Sequence, residues 1–152
     1  MVLLRTPALL LIPLWGLTAG CSSGVTRYPV TGTVVMDGQP LGLATVHFYP
    51  ADPAVDQSNG GTARTDEAGK FSLGEEGKNT GLAAGDYKVT VSQTLIGGKP
   101  SLGGSGGKKS EMTPGEKENV PDVYRSAQTT TLTAHVDKNS RTVTLELSKK
   151  KP

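Results

Sequence analysis

The chain of 152 residues has a single cysteine, Cys21, so it cannot form a disulfide bond within itself. It has only two histidines, and with one cysteine these are too few to build a zinc site without carboxylates. A Gly-x-Ser-x-Gly elbow, which exposes the serine nucleophile of many hydrolases, is also absent. These absences exclude a disulfide scaffold and argue against the most recognisable catalytic sites.

Aromatic residues and net charge are scarce as well. Phe, Trp and Tyr make up 5% of the chain, and the formal net charge is only +2. A charge this small produces no strong field to attract nucleic acid or to steer an acidic substrate. The basic clusters at 108–109 and 149–152 are predicted to be solvated loop and tail. We therefore predict a non-enzymatic protein that has no cofactor, no metal ligand and no nucleic-acid partner.

No apolar run in the sequence is long enough to span a bilayer. The longest, Ala8–Leu17, has about ten residues, whereas a membrane helix needs roughly twenty. Arg5 precedes it, and Leu17-Thr18-Ala19-Gly20-Cys21 follows, which is the order of a secretory signal peptide. The last five residues resemble the lipobox of bacterial lipoproteins, which implies cleavage before Cys21 and acylation of its thiol.

This resemblance divides the beginning of the chain into a signal peptide, 1–20, and a lipidated tether, 21–28. Each buried methylene of an acyl chain contributes about 0.8 kcal/mol, so two or three chains would anchor the protein stably in a membrane. Ser22 stands where the inner-membrane retention signal has aspartate, which favours an outer-membrane protein facing the periplasm or the cell surface. The alternative is an ordinary secreted protein with a free thiol.

After the tether, apolar and polar residues alternate in short runs separated by turn residues, which predicts β-strands with one buried face. The predicted inward positions are Val30, Gly32, Val34, Met36, Ala44, Val46, Phe48, Tyr87, Val89, Val91, Leu132, Ala134, Val136, Val143, Leu145 and Leu147. Asp66–Gly69 is predicted to close a tight hairpin between strands at 61–65 and 70–73. Seven strands predict an all-β fold, a transthyretin-like or Ig-like antiparallel β-sandwich over 29–148.

One segment interrupts the strand pattern. Residues 94–128 are predicted to form a long flexible loop, and its glycine-rich part, within 97–118, is expected to be disordered. Its later part, Asn119–Tyr124, carries apolar side chains that are expected to dock on the sandwich.

Several motifs in residues 29–93 together resemble the carboxypeptidase regulatory-like domain, a transthyretin-type (prealbumin-like) sandwich. The motifs are Val30-Thr31-Gly32-Thr33-Val34, Asp37-Gly38-Gln39-Pro40-Leu41, Ala44-Thr45-Val46-His47-Phe48, Thr65-Asp66-Glu67-Ala68-Gly69-Lys70-Phe71 and Leu82-Ala83-Ala84-Gly85-Asp86-Tyr87-Lys88-Val89-Thr90-Val91. The resemblance implies a fold and a non-catalytic role in adhesion, stabilisation or assembly.

Two other functions stay open at this point. Tyr124-Arg125-Ser126 is similar to the Tyr-Arg-Gly-Ser ending of the 5-hydroxyisourate hydrolases, which share the transthyretin fold, although the glycine is missing and the tripeptide is internal. A carbohydrate-binding module would need exposed aromatic rings, for which Tyr49 and Tyr124 are the candidates. A calcium site is not predicted, because Asp52, Asp56, Asn59 and Asp66 lack the regular ligand spacing.

The sequence thus predicts a lipid-anchored protein of the cell envelope that has a binding or scaffolding role. Its partners would be the membrane, through the lipid on Cys21, and an envelope protein or glycan. Tyr49, Tyr124 and Arg125 are the candidate contact residues. A small transthyretin-like hydrolase and a carbohydrate-binding module are the alternatives.

Overall fold

The structure is a computed structural model that describes residues 24–101 and 115–150. The predicted signal peptide and Cys21 lie outside the described residues. The larger sheet consists, in spatial order, of β12 (Thr133–Val136), β8 (Gly85–Ser92), β4 (Thr45–Pro50) and β5 (Gly61–Arg64). The second sheet has β2 (Val30–Met36) at its centre, β13 (Thr142–Leu147) on one side, and β6 (Lys70–Leu73) and the short β3 (Gln39–Pro40) on the other.

Five shorter strands flank these two sheets. Near the beginning of the described chain, β1 (Arg27–Tyr28) pairs with β7 (Leu82–Ala83). A small three-stranded sheet consists of β9 (Thr94–Ile96) between β10 (Lys99–Pro100) and β11 (Glu116–Glu118). The two main sheets contain seven strands of four or more residues within the described ranges, which confirms the predicted all-β sandwich.

The core lies between the two sheets, where alternate side chains of each strand are buried. In β2, for example, Val30, Val34 and Met36 are buried, whereas Thr31 between them is exposed. The ring of Phe48 lies at the centre, 5.9 Å from the ring of Phe71 and 6.3 Å from that of Tyr87, between centroids. Burying each such side chain contributes about 1.5–3 kcal/mol before the entropy cost, so the inward faces provide most of the stability.

The predicted hairpin at Asp66–Gly69 is wrong, although the turn itself forms. The amide of Gly69 donates to the carbonyl of Asp66 at 3.0 Å, and Asp66 donates to Lys70 at 2.7 Å. The strands on either side then enter different sheets, because β5 pairs with β4 and β6 pairs with β2. The turn therefore carries the chain from one layer of the sandwich to the other.

One pair of strands in the predicted antiparallel sandwich is parallel. Strand β13 runs parallel to β2, with Thr142 opposite Thr31 and Leu147 opposite Met36. The preceding strand, β12, lies in the other sheet. The turn at 137–141 crosses between the sheets and brings the chain to the end of the sandwich at which β2 begins. Strand β13 therefore starts beside the start of β2 and runs in the same direction.

The segment 94–128 is not one long loop where it is described. It contains β9, β10 and β11, followed by a 3₁₀ turn at Asp122–Tyr124. Val120 and Tyr124 are buried in the core, which confirms the predicted docking of residues 119–124. The rest of the predicted disordered part, 102–114, lies outside the described residues.

The two ends of the sandwich are formed by different segments of the chain. The described chain enters the sandwich at one end, which we call the tether end. There the guanidinium of Arg27 donates to the carbonyl of Gly81 at 3.0 Å and to that of Ser58 at 3.1 Å. The opposite end, the far end, contains the turns at 37–38 and 66–69 and the small sheet, because β2 and β13 both run towards it. Among the described residues, no helix has the length and apolar character needed to cross a membrane.

Candidate binding surfaces

A groove of about 610 Å³ opens at the far end between the segment 36–43 and the small sheet. Met36 and Leu41 are buried at its base, and Leu43, Leu95 and Pro100 form its apolar walls. Its volume lies in the range of small-ligand sites, which are mostly apolar with a few polar groups. The groove is therefore one candidate contact surface.

Leu43 beside this groove has a left-handed backbone conformation, with φ of 55°. This conformation is unfavourable for a bulky residue, so neighbouring hydrogen bonds must hold it. The hydroxyl of Thr65, which is buried, accepts from the amide of Ala44 and donates to the carbonyl of Leu41, both at 2.8 Å. Thr65 thus fixes the wall of the groove from inside the sandwich.

A buried amide network connects the larger sheet to the small sheet. Gln93 is 4% exposed; its Nε2 donates to the carbonyl of Gly42 at 2.5 Å, and its Oε1 accepts from Nδ2 of Asn119 at 2.6 Å. Its backbone amide donates to Oε1 of Glu118 at 2.7 Å. This network is not predicted from the sequence, although Gln93 continues the inward series of Tyr87, Val89 and Val91 and so occupies a core position.

The outward face of the larger sheet is a second candidate surface. The rings of His47 and Tyr49 are adjacent on β4, with centroids 6.1 Å apart and planes at 28°. Across the sheet, Tyr49 pairs with Lys88, and Lys88 pairs with Thr133. Nδ1 of His47 lies 2.8 Å from the hydroxyl of Thr62. We call His47, Tyr49, Thr62, Lys88 and Thr133 the outer-face patch.

Besides the contact between His47 and Thr62, two polar groups of this patch are unused within the described residues. The hydroxyl of Tyr49 and the ammonium of Lys88 have no hydrogen-bond or ion-pair partner among residues 24–101 and 115–150. Desolvation by burial lowers the pKa of His47, so its ring is neutral at pH 7. The patch therefore offers the ring of Tyr49, hydroxyls and one cation to solvent, with the ring of His47 partly buried beside Tyr49.

Of the three predicted contact residues, only Tyr49 retains an exposed ring, with 37% of its surface exposed. Tyr124 is 7% exposed, and its hydroxyl accepts from the amide of Ser148 at 3.2 Å, so the expectation of an exposed ring at Tyr124 is wrong. Nη1 of Arg125 lies 2.6 Å from Oδ1 of Asp122 in an ion pair. The segment similar to the hydrolase ending is therefore engaged in internal contacts.

The acidic residues weighed as calcium ligands form turns. The carboxylates of Asp52, Asp56 and Asp66 accept from backbone amides two to four residues later, those of Ala54, Ser58 and Lys70, at 2.8–2.9 Å. Hydrogen bonds that Ser58 donates to the carboxylate lower the pKa of Asp56; the bond from the backbone amide has the largest effect, and the bond from the side chain comes next. No group of three metal-ligating side chains occurs in the described residues.

Comparison with known proteins adds little to this description. No protein-family profile and no curated protein match the sequence. A search of solved structures finds a likeness to the crystal structure of the major pilin subunit of Bacillus cereus, at 14% identity and a TM-score of 0.42. The likeness covers 81% of this chain and only 30% of the pilin chain. The assignment of a β-sandwich rests on the strand pairing described above.

Proposed function

We propose that this protein is a lipid-anchored cell-envelope β-sandwich of the carboxypeptidase regulatory-like type, with a non-catalytic binding or scaffolding role. The observation that supports this best is the position of chain entry. Arg27 is fixed at the tether end, whereas the groove walls at Leu43 and Leu95 lie at the far end. A lipid on Cys21 would hold the tether end near the membrane and present the far end away from it.

The length of the tether limits how far the domain could move from the membrane. Arg27 is six positions after Cys21 along the chain, and an extended chain covers at most about 3.5 Å per residue. The sandwich would therefore begin within roughly 20 Å of the lipid anchor. A tether this short would restrict how the domain turns relative to the membrane, which favours a contact surface that always faces away from it.

The positions of the family-like motifs support the proposed type of domain. Asp37 and Gly38 both have positive φ in a two-residue turn, and Gly69 has φ of 74° at the end of its turn. Phe71 and Tyr87, the aromatic residues of the later motifs, pack in the core. Each motif thus supplies a turn or a core contact, as expected of a structural domain.

The candidate chemical groups support a non-catalytic role over the hydrolase alternative. Tyr124 and Arg125 are engaged in internal contacts. The turn carboxylates likewise bond to the backbone of their own loops. These side chains stabilise the fold, which is the role expected of them in a scaffold or binding domain.

Replacing the proposed lipid acceptor tests the anchor. Cys21→Ser should move the full chain from the membrane to the soluble fraction and abolish fatty-acid labelling. Ser23→Ala, a change two residues away, should alter neither. A Cys21→Ser protein that remains membrane-bound and labelled would overturn the proposal.

A second experiment tests the proposed orientation. A cysteine introduced at Lys138, at the tether end, or at Glu67, at the far end, would be the only free thiol of the acylated protein. With a fluorophore on that thiol, and the protein in vesicles that contain a lipid-borne quencher, the Lys138 site should be quenched more strongly. Equal quenching, or stronger quenching at Glu67, would contradict the orientation.

A further inference from the structure

We propose that the outer-face patch binds an acidic glycan, through stacking of a sugar ring on Tyr49 and pairing of a carboxylate with Lys88. This inference names a ligand class for the binding role proposed above and rests on that role. It does not depend on the lipid anchor, because the patch is formed entirely by the larger sheet.

The exposed ring of Tyr49 gives the patch an aromatic surface on which a sugar can stack. His47 and Tyr49 are two residues apart on β4, so their side chains project from the same face of the strand. The two rings stack on each other with planes at 28°, which orients the ring of Tyr49, and Tyr49 is 37% exposed and so accessible to a ligand. The C–H face of a pyranose ring can lie on such a surface, because an aromatic face carries partial negative charge and a C–H bond carries partial positive charge.

Hydrogen-bonding groups surround the rings at positions suited to sugar hydroxyls. Thr62 lies directly opposite His47 on β5, and Thr133 lies opposite Lys88 on β12. Directly paired residues have Cβ atoms about 4.5–5.5 Å apart, so these groups are immediate neighbours on one face. The free hydroxyl of Tyr49 adds a donor and acceptor at the edge of the ring.

Charge distinguishes an acidic glycan from a neutral one. Lys88 lies beside Tyr49 with no acidic partner among the described residues. Asp86, an acidic residue on the same face, is 2.6 Å from Nδ1 of His135, and that hydrogen bond partly satisfies its charge. A uronate carboxylate next to the stacked ring would complement the unpaired ammonium and form a charge-assisted hydrogen bond with it.

The position of the patch argues against two other occupants. Strands β4 and β8 each have neighbours on both sides, so their backbone groups are already paired and cannot receive an added peptide strand. Single-stranded nucleic acid binds to grooves with several cations along the backbone, whereas the patch contains one lysine. A hydroxyl-rich sheet face with an exposed aromatic ring and one cation suits a glycan better.

Binding of polygalacturonate by the detergent-solubilised full-length protein tests this inference. The native protein should bind polygalacturonate more tightly than neutral dextran, and added salt should weaken the binding, because screening acts on Lys88. Tyr49→Ala should weaken binding about tenfold or more, the scale of a lost aromatic anchor, while Tyr49→Phe should retain most of it. Lys88→Gln should remove the preference for the acidic polymer.

Matched controls are available on other surfaces. Ile96→Ala removes an exposed apolar side chain at the far end, and Lys138→Gln removes an exposed cation at the tether end. Both should bind as the native protein does. The inference would be overturned if the native protein failed to bind polygalacturonate at a millimolar concentration of sugar units, or if Tyr49→Ala bound it normally. It would also be overturned if single-stranded DNA bound the native protein more tightly than polygalacturonate does. Failure here would leave the fractionation result for Cys21→Ser unaffected, so the two proposals fail separately.

Discussion

Nδ1 of His135 lies 2.6 Å from Oδ1 of Asp86, across the antiparallel pair of β12 and β8 in which the two residues are direct partners. Since an ionised carboxylate only accepts, the imidazole N–H is the donor. Nε2 of the same ring lies 3.4 Å from Oδ2 of Asp137. The hydrogen bond that the ring donates to Asp86, and after it the one to Asp137, raise the pKa of His135 above its ordinary value of 6.5. The ring therefore links β8, β12 and the following turn when it is protonated.

We expect Asp86→Asn to lower the pKa of His135, because the amide removes the negative charge that favours imidazolium. Because the pKa of His135 is raised in the folded state, the interaction stabilises the fold below about pH 6.5, and this contribution is lost as pH rises through the folded pKa. The chain has two histidines, so NMR titration of their ring protons measures the shift directly. An unchanged pKa in Asp86→Asn would contradict the assignment, and Asp52→Asn provides the distant control.

His47 should titrate in the opposite direction. Desolvation lowers its pKa below 6.5, so the folded protein resists protonation of this ring while the unfolded chain accepts the proton. The corresponding contribution to stability is present above about pH 6.5 and is lost as pH falls towards the folded pKa. His47→Gln should therefore show a smaller fall in Tm between pH 7 and pH 5 than the native protein. A steeper fall in the variant would show that the ring is not desolvated.

Alternation of residue types predicted which side chains face the core, because a strand buries every second residue if one of its faces is covered. The same pattern does not identify the partner strand. The pattern therefore predicts the buried face of β13, with Val143 and Leu145, but it does not distinguish a parallel partner from an antiparallel one, and the neighbour predicted for β6 is wrong.

The candidate surfaces were less predictable than the core. Tyr49 was identified because it lies on the outward positions of a regular strand. Tyr124 lies in a segment without strand periodicity, where the apolar side chains predict docking on the sandwich but no alternation indicates which of them are buried. The network around Gln93 depends on contacts with residues 26 or more positions away along the chain, at Gly42 and Asn119, and such contacts follow from the fold.

Gly32 lies where β2 and β13 approach too closely for any side chain. A Cβ atom at this position would lie 2.2 Å from the carbonyl oxygen of Val143 and 2.5 Å from the ring of Phe71. The carbonyl belongs to a paired strand and cannot rotate away, so Gly32→Ala should destabilise the protein by about 1–3 kcal/mol or more. Thermal unfolding should show a drop in Tm of roughly 4 °C for each kcal/mol. Gly24→Ala, where nothing lies within 4 Å, should unfold at the native temperature.

The hydrogen bonds of Gln93 should determine how firmly the small sheet is attached. Gln93→Leu keeps the side-chain size but leaves the carbonyl of Gly42 and the amide of Asn119 without this partner, at a cost of about 1–3 kcal/mol for each group that stays buried. Trypsin should then cleave after Lys117 in β11 faster than in the native protein.

A double-mutant cycle separates this network from a simple loss of packing. Asn119→Leu alone and Gln93→Leu alone should each destabilise the protein, and the two together should cost less than the sum, because the second change removes a group that the first left unpaired. Gln57→Leu, at an exposed site in the loop 51–60, should affect neither stability nor cleavage at Lys117. Strict additivity of Gln93→Leu and Asn119→Leu would mean that the two amides do not act together, and that β11 is held by its strand pairing with β9 alone.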